Sequence, residues 1–536
     1  MASAHVDTFA RDNLPPRELW PELVFELPQL QFPAQLNCAA VLLDQQVGAG
    51  HGDRPCIRAP GLTWTYAELL AQANRIAHVL VDDMGLVPGN RVLLRAANNP
   101  LLAACWFAVI KAGGIAVVTM PLLRARELTD MIGKAQVSHA LCDARLGDEL
   151  RAAAANCPTL TQVKYFGRDG AGSLETLARA KPASFTNLDT AADDTCIIAF
   201  TSGTTGQPKG TMHFHRDLVA ICECWPRHVL RATANDVFIG SPPLAFTFGL
   251  GGQLLFPLHV GASTVLLEKA APEILLPAIG EFGATVCFTA PTSYRAMAAQ
   301  AGKHDLTSLR KCVSAGEALP AATRTLWRDT TGIELIDGIG TTEMLHIFIS
   351  ADEAHSRGGA TGKAVPGYIA CVLDEQGKPL PPGQAGRLAV KGPTGCRYLA
   401  DARQKNYVSG GWNVTGDAYL IDGDGYFVYQ ARTDDMIISA GYNIAGPEVE
   451  ATLLEHPAVA ECGVVGLADE ERGQVVTAFV ILKDGLAPGE TLARELQDFV
   501  KQSIAPYKYP RRIVFRTSLP RTETGKLQRF RLRQET

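Results

Sequence analysis

The sequence predicts an α/β protein: a large N-terminal domain of parallel-type sheets with helices, a small β subdomain, and a mobile α+β C-terminal domain. Three observations predict it. Short apolar runs alternate with helix-length segments through the first two thirds of the chain, the pattern of sheets covered on both faces. After about residue 360, Gly358-Gly359, Gly367, Gly377 and Pro381-Pro382-Gly383 punctuate short strands. Beyond Arg432 the pattern changes again, to strands interspersed with two helical stretches. At 536 residues the chain is too long for a single hydrophobic core, so several core units are required.

The elements follow in order. About 45 residues containing prolines and aromatics read as an extended lead-in. Leu62-Thr63-Trp64-Thr65-Tyr66 leads into a helix over 67–81. Strands are expected over 90–95 and 115–120, with a helix over 100–111 between them. Further strands are expected over 137–142, 195–200, 237–241, 264–268, 284–289 and 309–314. Residues 360–432 suit a small antiparallel or barrel-like subdomain. The polar run Ala431-Arg432-Thr433-Asp434-Asp435 lies between apolar segments and is read as a hinge. It divides an N-terminal domain, 1–432, from a C-terminal domain, 433–536, whose helices are expected over 447–455 and 491–504.

Composition narrows the classes. Hydrophobic residues make up 47% and charged residues 20%, an ordinary globular balance. The formal charge of −5 is spread without long blocks, which gives no support for nucleic-acid binding. The 13 cysteines are odd in number and irregularly spaced, as expected for reduced thiols in a cytoplasmic protein. The N-terminus lacks the basic start and apolar core of a signal peptide. The most apolar stretch, Leu101 to Met120, is broken by Lys111 and Gly113-Gly114, so it reads as a buried helix, a turn and a buried strand, not a membrane span.

Thr201-Ser202-Gly203-Thr204-Thr205-Gly206-Gln207-Pro208-Lys209-Gly210 is the most informative stretch. It follows the apolar strand Cys196-Ile197-Ile198-Ala199-Phe200. Its glycines allow a ligand close to the backbone, and its hydroxyls and Lys209 offer donors to anionic oxygens. That composition suits a triphosphate and its metal ion. Pro208 occupies the position of the second glycine in G-x-x-x-x-G-K-[ST], so the segment is not the loop of motor and transport ATPases.

At these residues the chain resembles the adenylate-forming superfamily of acyl-CoA synthetases, peptide-synthetase adenylation domains and luciferases. Further motifs match in order from about Trp64 to Phe530. The resemblance implies an acid–thiol ligase using ATP, Mg2+ and coenzyme A through an acyl adenylate, releasing pyrophosphate and AMP. Thr201, Ser202, Gly203, Thr204, Thr205 and Lys209 would hold ATP phosphates. In Gly340-Thr341-Thr342-Glu343, Thr342 would contact the α-phosphate and Glu343 would bind the metal. The family often has Tyr before this glycine; here it is Ile339, so the adenine contact would be partly apolar or come from elsewhere. Gly316 and Glu317, in Ser314-Ala315-Gly316-Glu317-Ala318, would lie along adenine. Asp417 would take the ribose hydroxyls, and Arg432 would contact the nucleotide. Lys526, in Thr522-Glu523-Thr524-Gly525-Lys526, matches the mobile catalytic lysine, a cation that bridges two anionic reactants. Asp434 matches the hinge, and Gly441 the tunnel for the pantetheine arm.

The acid pocket is expected at Phe246, Thr247, Phe248, Tyr294, Gly340, His346 and Ile347, whose rings can pack against a planar acid. The segment from Gly338 to Ile347 resembles benzoate-type CoA ligases. Thr211 to Asp217 and Asn443 to Glu448 look closer to 2-aminobenzoate-CoA ligases, and Ile438 stands where the benzoate enzymes carry Lys. The implied substrate is a small aromatic carboxylate, 2-aminobenzoate first, benzoate or a hydroxybenzoate second. A stand-alone adenylation module that loads a carrier protein is the reading from another class; a non-catalytic nucleotide binder is the third. Neither nucleic acid nor membrane is expected as a partner, and the protein would be a monomer or homodimer.

Overall fold

The computed structural model describes residues 3–534 apart from 169, 202–207, 433–434, 440–441, 470–471, 505 and 522–525. Two large mixed sheets form the N-terminal part. The nine-stranded sheet has at its centre the parallel strands Lys311–Ser314, Val286–Thr289, Val237–Gly240 and Ser263–Val265. The six-stranded sheet is parallel except at one edge, where Thr195–Thr201 turns back into Lys209–Phe214. The expected strands lie within a few residues of those observed. The helix expected over 67–81 is Tyr66–His78 followed by a wider helical turn, Val79–Asp83. Thr65 caps it, accepting from the Glu68 N–H while the Glu68 carboxylate takes the Thr65 N–H.

The Leu101–Met120 stretch is the buried helix Pro100–Lys111, the turn at Gly113-Gly114, and the buried strand Ile115–Thr119. Lys111 is fully buried there, and its ammonium is bidentate to Asp44 at 2.6 and 2.8 Å. Among the described residues, no helix is long and apolar enough to cross a membrane. The lead-in is not wholly extended, because Phe9–Asp12 forms a helical turn.

Residues 369–432 form a five-stranded antiparallel sheet. From Ile437 onward a second five-stranded sheet packs helices Gly446–Glu455 and Glu490–Ser503 around a core of its own. The long hairpin Val459–Asp469 and Gly473–Leu482 is its spine.

Sequence reasoning missed the strand Lys209–Phe214. Its Gly-Thr-Met-His-Phe run is short and mixed in polarity, yet it pairs along the whole of Thr195–Thr201. The glycine-rich segment therefore joins two antiparallel partners, with Thr201 opposite Lys209.

Candidate active site

A cleft of about 2130 Å³ runs between the N-terminal sheets and the C-terminal unit. The ends of Lys311–Ser314 and Leu335–Gly340 deliver Gly316, Glu317, Asp337 and Gly340 to one wall. Asp417 and Arg432 face each other in register on the antiparallel pair Trp412–Ile421 and Phe427–Arg432, their charged groups 3.7 Å apart. Lys526 arrives from the C-terminal unit. Its Cε lies 3.7 Å from where a Cβ on Gly316 would stand. Gly316 has φ +91°, a conformation that favours glycine, and a Cβ there would make only ordinary van der Waals contact with the lysine.

Charge organises this corner. Lys526 keeps solvent access at its surface but is crowded by protein on the cleft side. Desolvation lowers its pKa below the ordinary lysine value. Glu317 pulls it up, Arg432 pulls it down, and Asp417 pulls it up. Glu317 is itself pushed up by burial, against Arg521 and Lys526, which favour its ionised form. Arg521 reaches Glu317 at 3.9 Å and Glu461 at 2.8 Å.

The corner expected to take the metal is built around Glu343. The Tyr398 hydroxyl donates to its Oε1 at 2.5 Å, and the Lys209 ammonium stands 3.6 Å from the same oxygen while donating to Tyr398 at 3.0 Å. The Tyr407 and Thr341 hydroxyls share a hydrogen bond of 2.9 Å. His213 Nε2 holds the Thr342 carbonyl at 2.8 Å. Leu345, buried, has φ +72°, a strained conformation for a branched residue, in the turn that presents Glu343. The donor set fits Mg2+, which prefers oxygen: one Glu343 oxygen is committed to Tyr398, and the buried Thr201 hydroxyl has no hydrogen-bond partner.

Beneath lies a buried pair, Arg397 with Asp217, both fully buried. Burial opposes the Asp217 charge, but Arg397, His213 and Arg216 outweigh it and bring the carboxyl to about 2.

The expected acid-pocket residues divide. Phe246 and Gly340 line the cleft, whereas Thr247, Phe248, Tyr294, His346 and Ile347 are not among its lining residues. Thr247 and Phe248 begin a short helical turn, and the Phe248 ring packs against His346 at 5.7 Å between centroids. His346 also contacts Phe256 at 4.5 Å and Trp225 at 5.9 Å. Its room comes from Gly251, where a Cβ would stand 2.4 Å from the imidazole. Burial takes His346 down to about 3, against a weaker upward pull from the Phe248 backbone, and neither ring nitrogen completes a hydrogen bond of normal geometry. Ile347 is buried and packs against Gly338. Tyr294 is a correction: it is turned into the core against Trp327, its hydroxyl donating to the Cys287 and Val313 carbonyls at 2.9 and 3.1 Å. Those carbonyls give the phenol a partner that an acid pocket would not.

Ser202, Gly203, Thr204, Thr205, Asp434 and Gly441 lie outside the described residues. Sequence reasoning missed three groups. Tyr398 reaches Glu343 across 55 positions, with no local spacing to mark it. Arg521 stands just ahead of the Lys526 motif, where nothing in its own context marks a role. Asp337 is buried in the cleft wall, its carboxyl raised to about 7 by desolvation against the pull of Arg324. Its position three residues before Gly340 was its one local signal.

An α/β body, a second unit carrying a lysine into a shared cleft, and an acid beside a glycine-rich hairpin define a nucleotide-using ligase architecture. The chain matches the model of the AMP-binding enzyme family over residues 43–398 and that of the AMP-binding enzyme C-terminal domain over 448–526. It belongs to the AMP-binding enzyme family and is an acid–thiol ligase. It is 35% identical to a benzoate–CoA ligase of Thauera aromatica, covering 94% of this chain and 97% of that one. An anthranilate CoA ligase solved with anthranoyl-AMP superposes with a TM-score of 0.90 at 34% identity, over 95% of this chain and 98% of that one. A benzoate CoA ligase from Burkholderia xenovorans LB400 gives 0.85 at 33% identity, over 93% and 100%.

Proposed function

We propose that the protein is an AMP-forming aryl-CoA ligase whose preferred acid is 2-aminobenzoate. The observation that carries the acid assignment is His346, a buried imidazole packed against the Phe248 ring two residues on from the cleft-lining Phe246, with neither ring nitrogen in a hydrogen bond of normal geometry. A flat ring with a small hydrogen-bonding substituent suits such a wall better than an alkyl chain. The relatives that act on anthranilate (2-aminobenzoate) and benzoate support the same class.

In the reaction, a carboxylate oxygen attacks the α-phosphorus of ATP and pyrophosphate leaves. Mg2+, when bound at Glu343, offsets phosphate charge. Lys526, beside Gly316 and Asp417, stabilises the charge that gathers between carboxylate and α-phosphate. Thr201, Lys209 and the hairpin tip orient the phosphates. Asp337 accepts from the adenine amine, and Asp417 from the ribose. The C-terminal unit, 433–536, then turns about Asp434, withdraws Lys526 and brings Gly441 to the acyl adenylate. The thiol sulfur of coenzyme A attacks the acyl carbon, AMP leaves, and the thiol proton goes to solvent.

The test is release of pyrophosphate and AMP with ATP, magnesium and coenzyme A across 2-aminobenzoate, benzoate, hydroxybenzoates, hexanoate and phenylalanine, with the thioester identified by mass. Highest kcat/KM on 2-aminobenzoate supports the proposal. Preference for benzoate retains the class and rejects the acid; preference for hexanoate rejects the aromatic pocket. Pyrophosphate release without thioester favours the carrier-loading module.

A further inference from the structure

Outside the cleft, three metal-ligating side chains meet in the core beneath the phosphate hairpin. Cys38, Cys196 and His215 are each fully buried. Their ligand atoms all lie within 4.8 Å of one another, and His215 Nδ1 stands 3.3 Å from Cys38 Sγ. They come from three distant parts of the chain. Cys38 belongs to the lead-in, Cys196 is the second residue of Thr195–Thr201, and His215 opens the helix His215–Glu223. The ligase chemistry uses none of them.

Two buried imidazole nitrogens in this part of the core have no hydrogen-bond partner among the described residues. His215 Nε2 is buried with no hydrogen-bond partner. His5, 7% exposed, likewise leaves its Nε2 without one. Asp194 ties down the segment carrying His5: it accepts from the Ser3 hydroxyl and, at 2.9 Å, from the Ala4 N–H. Burial brings His5 to about 4, with Asp194 opposing and His215 adding to the fall.

We propose that Cys38, Cys196 and His215 form a buried site supplying three donors to a thiophilic d10 cation of the zinc class. Tetrahedral zinc at about 2.3 Å from sulfur and about 2.0–2.1 Å from nitrogen sets its donors roughly 3.5 Å apart, close to the 3.3 Å contact already present. A divalent ion held by two thiolates is neutral overall, which limits the cost of burying it. Binding replaces two thiol protons, released to solvent, and displaces the Cys38 N–H from His215 Nδ1, a contact of 3.2 Å. The ion would staple the lead-in to both ends of the hairpin whose tip carries the phosphate loop.

The test uses the full-length protein, reduced and metal-free, titrated with Cd2+ to follow the thiolate-to-cadmium charge-transfer band, and then with Zn2+ against a chromophoric chelator. The expected result is one saturable equivalent in the native protein, absent from C38S/C196S, with a zinc-dependent rise in melting midpoint that the variant lacks. His215→Gln should weaken zinc binding at least ~10-fold, a readout that survives if the double variant fails to fold. Absence of the band at excess Cd2+, equal bands in native protein and C38S/C196S, or unchanged zinc affinity in His215→Gln would each overturn the site.

Discussion

Lys526 and His346 show how much a single side chain owes to its setting. Lys526 is one of many lysines, but it lies against Gly316, and Glu317 and Asp417 favour its charge. Lys526→Ala should lower pyrophosphate release ~100-fold or more, while thioester formation from supplied adenylate stays within a few-fold. Equal loss of both steps would remove the lysine from its role. His346 makes two predictions. Its uncommitted nitrogens should matter only for an acid that can hydrogen-bond them, so His346→Leu should cut the preference for 2-aminobenzoate over benzoate ~10-fold, read as the ratio of kcat/KM values. Its ionisation should also register in stability. The folded value, about 3, lies below the unfolded 6.5, so the unfolded chain binds the extra proton between them. Stability is therefore lost as pH falls from about 6.5 toward 3, by up to about 1.4 kcal/mol per pH unit from this group. His346→Gln should flatten that part of the acid dependence, measured as the denaturant midpoint at a series of pH values.

At the scale of elements, the hairpin from Thr195 to Phe214 carries the phosphate loop, and the Asp217–Arg397 pair anchors its base to the segment that brings Tyr398 to Glu343. Removing one partner leaves an uncompensated buried charge. Arg397→Met should destabilise by about 3–5 kcal/mol, and adding Asp217→Leu should restore much of it; no recovery in the double variant would mean that packing, not charge, is what Arg397 supplies. The sequence disclosed the strands of the two large sheets that are continuous apolar runs between helical segments, but not Pro55–Ala59, Gln162–Phe166, Leu335–Gly340 or Ile347–Ser350. It also disclosed Glu343, Asp417, Arg432, Gly316 and Lys526 as parts of local motifs, which the fold brings to one cleft. What it concealed depends on distance or mixed polarity. The strand Lys209–Phe214 is defined by its partner rather than by its own pattern, Tyr398 reaches the site from far along the chain, and the aromatic ring of Tyr294 reads equally well as wall or core until its hydroxyl's partners are seen.

For the whole molecule, the contact between the C-terminal unit and the N-terminal body is charged at the catalytic corner. Arg521 lies 3.9 Å from Glu317, and Lys526 is held up electrostatically by the same carboxylate. Glu317 thus favours the arrangement in which Lys526 reaches the cleft, and it favours the protonated lysine within that arrangement. Glu317→Gln removes both effects. Pyrophosphate release should fall several-fold, with little change in thioester formation from supplied adenylate, because the proposed mechanism has Lys526 withdrawn in the second step. The sign of the pH effect follows from the same charge. Adenylation needs the ammonium, so activity is lost as pH rises through the Lys526 pKa, already below the ordinary 10.5 through desolvation. Without Glu317 that pKa falls further, and the alkaline limb of the adenylation profile should move to lower pH. A slower enzyme with an unmoved alkaline limb would assign Glu317 to domain contact alone; a moved limb at unchanged rate would assign it to the lysine's charge alone.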